Sequence, residues 1–421
     1  MISKISKIVS NKVLVNGSLF AFFSFVNQGI GFLLLILLAN YILPAEYGQL
    51  SLFNTIVTFL GYFVALSTQG YLSVSYFKKD SETFRNDVSA IMVLPVAMTM
   101  IFCILLLFTG NYISKLTSIP TLFLWVAIVI SIFSVFQGLL LDLLRVQEKV
   151  IKYGIISCGI AIINFVLSLY LVINRGLSWE GRVYAHLICA FFFGVLGIGV
   201  FISKRLVTIK LTKETFKMVV LWGIPLIPHQ AAIWLKSGCD RLIINQCHTL
   251  EDVGLFSFAL NLMSIIIIIG QSFNSTNSVT IYQTLSSGSS NQEKRQKLGK
   301  LSRTIFLIYI CATALVMIGA SVLVPIVLPK YSYSIYYFLI LSVSAFLQCI
   351  YFLYCNYLFY YGKNKNLMMI TFLSAILHLG LSLIFTRYSL FVTCVIYTLS
   401  QLIVLAFVKK ETNKIIKTEL C

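Results

Sequence analysis

The sequence predicts an all-α integral membrane protein: twelve transmembrane helices in two six-helix lobes around a central cavity. Three observations carry that prediction. Of the 421 residues, 59% are hydrophobic and only 11% charged, and the mean hydropathy of +0.92 lies far above that of soluble domains. Apolar runs of the roughly 20 residues needed to cross ~30 Å of hydrocarbon recur along the whole chain, without the ~10-residue alternating segments of an outer-membrane barrel. The two halves also share a register, because an offset of 206 places Gly17 on Gly223, Glu46 on Asp252, Gly48 on Gly254 and Ser51 on Ser257.

Taken in order, the first run, 13–41, is too long for a signal-peptide core. It carries Asn16, Asn27 and Gln28 and has no small-residue cleavage pattern, so it is expected to stay as helix 1 with no cleaved leader. Runs 49–75, 89–109, 121–143, 151–173 and 183–203 complete an N-lobe over 1–210. Run 218–246 opens the C-lobe, 211–421, followed by 254–282, 304–328, 333–360, 367–385 and 390–408. In both halves a long helix is followed by an acidic residue two before a glycine that opens the next, PAEYGQLSLF and LEDVGLFSF. Six spans per half is an even number, so both halves enter the membrane in one orientation, as in parallel-repeat transporters, and a cavity is expected between them.

Everything between the spans is short, and no extramembrane segment can bury a core of its own. This excludes a soluble catalytic or nucleotide-binding domain. The two longest links on the basic side, 204–217 and 283–303, are themselves basic, and KRLVTIKLTKETFK suits an amphipathic helix on the membrane surface.

The net charge of +18 points to nucleic acid only where it gathers on one soluble face. Here it alternates. The N-terminal tail, the links after even-numbered spans and the C-terminal tail hold 25 of the 32 lysines and arginines; the opposite links hold five, and Lys236 and Arg241 lie inside span 7. Positive residues stay inside, so both termini are expected in the cytoplasm of a multi-pass bacterial inner-membrane protein, and the basic charge reads as topology and attraction to anionic membrane lipids. No nucleic-acid partner is expected. Nor is a metal or other cofactor: the ten cysteines include no CxxC and read as small apolar thiols, and His186, His229, His248 and His378 lack metal-ligand spacing.

Span 7 holds the chemistry. It reads VVLWGIPLIPHQAAIWLKSGCDRLIINQ, and Gly223, Pro225 and Pro228 should interrupt its helix. Lys236 falls near the midplane and Asp240 and Arg241 roughly 10 Å from it at 1.5 Å per residue. Spaced i, i+4, Lys236 and Asp240 are placed to pair on one face. An isolated charge at mid-bilayer costs roughly 2.5–3.5 kcal/mol, so the group is expected to face a wet cavity. The ordinary alternative for Arg241 is snorkelling to headgroups, and Asp240 reads either as a counter-charge or as a proton-coupling group. His229, one turn past the prolines, is a residue type that titrates near neutrality. Further candidates for the same cavity are Asn27 and Gln28 in span 1, Asn54 and Gln69 in span 2, and Asn261, Gln271 and Asn274 in span 8, where Gln271, Asn274, Ser275 and Ser278 share one face. Helix-to-helix hydrogen bonding is the ordinary explanation for each.

Ionisable groups inside the spans are Lys236, Asp240, Arg241 and, near an inner end, Asp142; the span 7 group is cationic by one charge, which suits an anionic headgroup, since Arg grips phosphate as a fork and Lys as a point charge. GxxxxGK[ST] is absent, so coupling is expected to use a proton or sodium gradient or the membrane potential. The stretch NGSLFAFFSFVNQGIGFLLLILLANYILPAEYGQLSLFNTI resembles the first helical hairpin of bacterial polysaccharide-biosynthesis membrane proteins, the O-antigen and capsule-unit flippases. WGIPLIPHQAAIWLKSGCDRLIINQ followed by LEDVGLFSFALNL resembles their seventh and eighth helices, with an Asp-Arg pair at Asp240 and Arg241. The resemblance implies the multidrug/oligosaccharidyl-lipid/polysaccharide exporter fold and an undecaprenyl-pyrophosphate-linked oligosaccharide, as in lipopolysaccharide assembly, turned from the cytoplasmic to the periplasmic leaflet. A polysaccharide polymerase and a chain-length regulator are the implied protein partners. Related lipid flippases place several arginines in the first two helices; spans 1 and 2 here contain none, which leaves Lys236 and Arg241 as the main anion-binding candidates.

Three competing classes fit less well. A drug-type cation antiporter of the same fold wants embedded carboxylates, and only Asp240 is well placed. A membrane polymerase or glycosyltransferase wants a sizeable outer loop, whereas the outer links here run to about ten residues. A non-transporting scaffold explains none of the embedded charge.

Overall fold

Polar backbone groups in hydrocarbon, without water, must satisfy one another's hydrogen bonds, and among the described residues every extended regular element is a helix. The structure, a computed structural model, describes residues 2–66, 68–208 and 212–419, with the side chains at 2–15, 17, 18, 21, 229, 233 and 237 outside the description. Its helices are α1 (Ile2–Tyr41), α2 (Pro44–Ala65), α3 (Thr68–Lys78), α4 (Ser81–Thr117), α5 (Thr121–Val146), α6 (Val150–Leu169), α7 (Trp179–Ser203), α8 (Lys213–Gly223), α9 (Ile227–Ser237), α10 (Cys239–Cys247), α11 (Leu250–Ser286), α12 (Asn291–Val327), α13 (Ser334–Tyr360), α14 (Asn364–Phe385) and α15 (Leu390–Glu419). Eleven stretches among the described residues are long and apolar enough to cross a membrane, and the interrupted stretch from α8 to α10 makes twelve. The expected span count and all-α class are therefore met.

The chain divides into two compact units, Met1–Ile42 with Leu52–Gln230, and Leu43–Ser51 with Ala231–Cys421. The lobe boundary read from the sequence, 210/211, follows helix count; the compact units divide at 230/231 because α8 packs into the first. Its Val219 joins Val64, Leu72, Val88, Ile91, Leu139 and Phe201 in that unit's core, and its Trp222 meets Tyr71 edge-on at 5.4 Å. Span 2 breaks beside it, where Leu66 takes φ +42. A Cβ on Gly223 would lie 2.3 Å from the Leu66 carbonyl oxygen, so only a glycine lets the broken ends approach. Gly223→Ala is expected to lower the melting temperature of the purified chain, because the obstacle is backbone and no rotamer change relieves it; an unchanged melt would show that the two breaks are not held together.

In the second unit, residues 43–51 lie across the start of α11, and the 206-residue register becomes a physical contact. A Cβ on Gly48 would stand 2.1 Å from the carbonyl oxygen of Leu250, and one on Gly254 would stand 1.8 Å from that of Pro44. Each obstacle is the other's equivalent under the offset, so the crossing is self-complementary, as in an isologous interface. Ser51 and Ser257, also equivalent, are bonded Oγ to Oγ at 2.7 Å. The aligned acidic residues explain themselves as helix starts: the Leu43 N–H donates to Glu46 Oε2 at 2.9 Å, and the Thr249 N–H donates to Asp252 Oδ2 at 3.1 Å while Thr249 Oγ1 accepts from Asp252 N–H. The second of these is a capping box. Around the crossing, Tyr47, Phe258 and Tyr331 pack ring on ring, and α13 lies against both α11 and α15.

Two expectations for the links are corrected. Residues 206–208 form no helix; the Thr208 N–H donates to Ser89 Oγ at 2.7 Å, tying that link to α4, and helix resumes only where Thr212 caps Thr215 N–H. Residues 209–211 lie outside the described residues. The supposed link 283–303 is mostly helix: α11 runs to Ser286, α12 starts at Asn291 behind a Ser290 cap, and Lys294, Arg295, Lys297, Lys300 and Arg303 occupy its first turns. Their residue types favour helix, and hydropathy marks the edge of the bilayer rather than the edge of the helix.

Candidate functional site

The prolines act as the sequence requires. Helix α8 gives way to a single 3-10 turn over Ile224–Leu226, carrying Pro225, before α9 begins. A second break follows at Gly238, which separates α9 from α10, and this break decides the electrostatics. Lys236 lies in the last turn of α9 and Asp240 in the first turn of α10, so the i, i+4 register between them is lost and they make no ion pair among the described residues. The expected Lys236–Asp240 pairing is thus corrected.

Asp240 is instead taken up by α14. It is 1% exposed, and both its carboxylate oxygens face Nε2 of the fully buried His378, at 3.1 and 3.0 Å. Since Nε2 lies on the carboxylate, the proton on that nitrogen is donated to Asp240, and Nδ1 stays buried without a partner among the described residues. The far end of α10 is tied to the same region, with His248 Nε2 2.7 Å from the Thr386 carbonyl oxygen.

Lys236 turns to α15. Its ammonium donates to Gln401 Oε1 and stands 5.5 Å from the ring centroid of Tyr397. Tyr397 and Gln401 are i, i+4 on α15 and so share a face; His378 meets Tyr397 edge-on at 5.6 Å. Arg241 extends the group to α11, donating from Nε to Ser257 Oγ at 3.1 Å. Through Ser257 it reaches Ser51, and Asn261 Nδ2 donates to the Tyr47 hydroxyl at 2.5 Å. Polar groups from α2, α9, α10, α11, α14 and α15 thus converge inside one unit. Two cationic side chains, Lys236 and Arg241, stand against the one carboxylate of Asp240, which leaves the cluster positive. Arg241 is directed at a helix neighbour within the unit, rather than out along the surface as snorkelling requires.

The other sequence candidates are not partners in these contacts. Asn27, half-buried, and Gln28, exposed, belong to the first unit, as do Asn54 and Gln69. Gln271 is exposed on α11, and Asn274 accepts from Asn356 Nδ2 at 2.8 Å, an ordinary helix-to-helix bond. His229 lies in α9, and its side chain falls outside the described residues. Sequence reasoning missed His378, Tyr397 and Gln401. The available signal was a polar residue in the middle of an otherwise apolar run.

A family model described as polysaccharide biosynthesis protein matches residues 13–281. The chain belongs to that family. A relative from Haemophilus influenzae, the Lsg locus putative protein 1, is 27% identical over 357 residues, covering 83% of this chain and 85% of the relative. An uncharacterized membrane protein of the same organism is 24% identical over 372 residues, covering 84% and 86%. Among solved structures, this polysaccharide biosynthesis protein is similar to an inward-facing multidrug resistance MATE family transporter of the MOP superfamily, with TM-score 0.73 and 13% identity over 91% of this chain and 94% of that one. It is equally similar to the lipid II flippase MurJ in an inward closed conformation, with TM-score 0.73 and 13% identity over 96% and 90%. The fold is theirs.

Proposed function

We propose that this family member is a flippase, not an enzyme, and that it carries an undecaprenyl-pyrophosphate-linked oligosaccharide, an O-antigen or capsule repeat unit, from the cytoplasmic to the periplasmic leaflet of the bacterial inner membrane by alternating access. The observation that carries this reading is the condition of Lys236. Its counter-charge by sequence, Asp240, is engaged by His378, and the ammonium is held by a neutral amide and an aromatic face. One of its three donors is used by Gln401, and a phosphate oxygen is the natural acceptor for the others. Arg241, one helical break away, supplies a second cation of the type that grips phosphate.

An inside-negative potential favours outward passage of the anion by roughly 2.3 kcal/mol per charge per 100 mV, and a proton or sodium gradient is the other available source. Polymerase and chain-length regulator are the proteins expected to receive the product. The test is reconstitution: vesicles holding the chain and a lipid-linked oligosaccharide, assayed for headgroup accessibility with and without a membrane potential, a proton gradient or a sodium gradient. Exposure should rise faster than in protein-free vesicles and faster still under the coupling gradient. Equal rates with and without protein would end the proposal.

A further inference from the structure

The second unit carries another group of cations, none of which belongs to the span 7 cluster. Two adjoining grooves of about 230 and 340 Å³ lie among α12, α13 and α15 and share Ser302, Leu353 and Tyr354 as lining. Arg295 and Gly299 open on the first, Arg303, Phe306 and Lys409 on the second. Neither groove has a carboxylate among its lining residues, so three guanidinium or ammonium groups face these spaces without an acidic neighbour on the wall. Lys409 also stands 5.7 Å from the Tyr354 ring centroid.

The level along the helices identifies the ligand. Arg303 is the last charge of α12 before the apolar run that opens at Ile305 and Phe306, and Lys409 is the first charge of α15 after Phe407 and Val408. Both mark the height at which hydrocarbon gives way to headgroups, and Tyr354 supplies the amphipathic ring expected there. Beyond Arg303, α12 leaves Phe306, Leu307 and Ile310 exposed to 39, 55 and 41%, an apolar track continuous with the groove. A soluble anion would use the cations and leave that track idle; a lipid uses both.

We propose that these grooves bind an anionic phospholipid, its phosphate-bearing headgroup among Arg295, Arg303 and Lys409 and its acyl chains along α12. Basic pockets between transmembrane helices take acidic headgroups through the same attraction that draws polybasic segments to anionic leaflets. The grooves share no lining residue with the span 7 cluster, and phospholipid occupancy is a separate question from whether the chain flips a sugar lipid.

The experiment is native mass spectrometry of the detergent-purified full chain, titrated with phosphatidylglycerol, with phosphatidylcholine and with soluble glycerol phosphate as competitor. Wild type should retain phosphatidylglycerol in preference to phosphatidylcholine, and glycerol phosphate should displace little of it. Arg303→Gln with Lys409→Gln should weaken retention roughly thirtyfold, at about fivefold per basic residue near a charged surface. A second variant removes no charge: a Cβ on Gly299, which lines the first groove, meets nothing within 4 Å, so a side chain there starts in open space, and Gly299→Trp should lower occupancy with a melting curve run beside it to check the fold. Equal retention of the two lipids, unchanged retention in both variants, or full displacement by glycerol phosphate would each overturn the proposal, the last by assigning the cations to a free phosphate instead.

Discussion

Replacing Lys236 and Arg241 together by alanine is expected to abolish surface-polysaccharide assembly while lipid-linked repeat units accumulate on the cytoplasmic face. Each side chain offers phosphate a charge-assisted hydrogen bond worth about 1.5–3 kcal/mol. Losing both removes about 3–6 kcal/mol of headgroup binding, roughly a hundredfold to ten-thousandfold in affinity. Single substitutions should be intermediate, and Arg241→Lys, which keeps charge but loses the fork, should retain part of the activity. The double change also removes the bonds of Lys236 to Gln401 and of Arg241 to Ser257, so a melting curve separates lost binding from lost stability. The measurement is leaflet-resolved quantification of lipid-linked units, beside surface polymer and a melting curve. Unaltered assembly would remove these residues from the substrate path. Unpolymerised units gathering on the periplasmic face would assign the chain to polymerisation instead.

The second large effect concerns the crossing of residues 43–51 with α11. Gly48→Ala and Gly254→Ala should each destabilise the chain by about 3 kcal/mol, the upper end of the overpacking range, because each new methyl group meets backbone at 2.1 or 1.8 Å. Close approach through small residues is how helices pack without a hydrophobic drive between them. The double variant is the sharper test. Once one methyl group has pushed the helices apart, the second enters space already opened, so the pair should cost much less than the sum of the singles. Thermal melts of the three variants check this, and strictly additive losses would mean that the two glycines do not share one contact.

That crossing was legible in the sequence, although only as an alignment. The offset pairing Gly48 with Gly254 and Ser51 with Ser257 needed no structure; that these equivalents touch one another did. The spans were legible for a physical reason, since the bilayer imposes one length and one composition on every element that crosses it. Pro225 and Pro228 likewise announced a break, because proline's missing N–H acts locally. What stayed hidden was the partner of each embedded charge. His378 comes to Asp240 from 138 residues away and Gln401 to Lys236 from 165, and no local pattern encodes such meetings. Gly238 added to the difficulty: a single turn there cancelled the i, i+4 pairing that spacing alone suggested, and left the lysine to Gln401 and Tyr397.

The strap at 43–51 also sets a timetable for biogenesis. It is synthesised near the start of the chain, yet the surface it completes includes Ser257, which is 206 residues later. At about 5–20 residues per second the ribosome needs roughly 10–40 s to deliver that surface. During that interval the glycine face of the strap has to wait in the bilayer without its partner, so the second unit closes late, after nearly the whole first unit has been inserted.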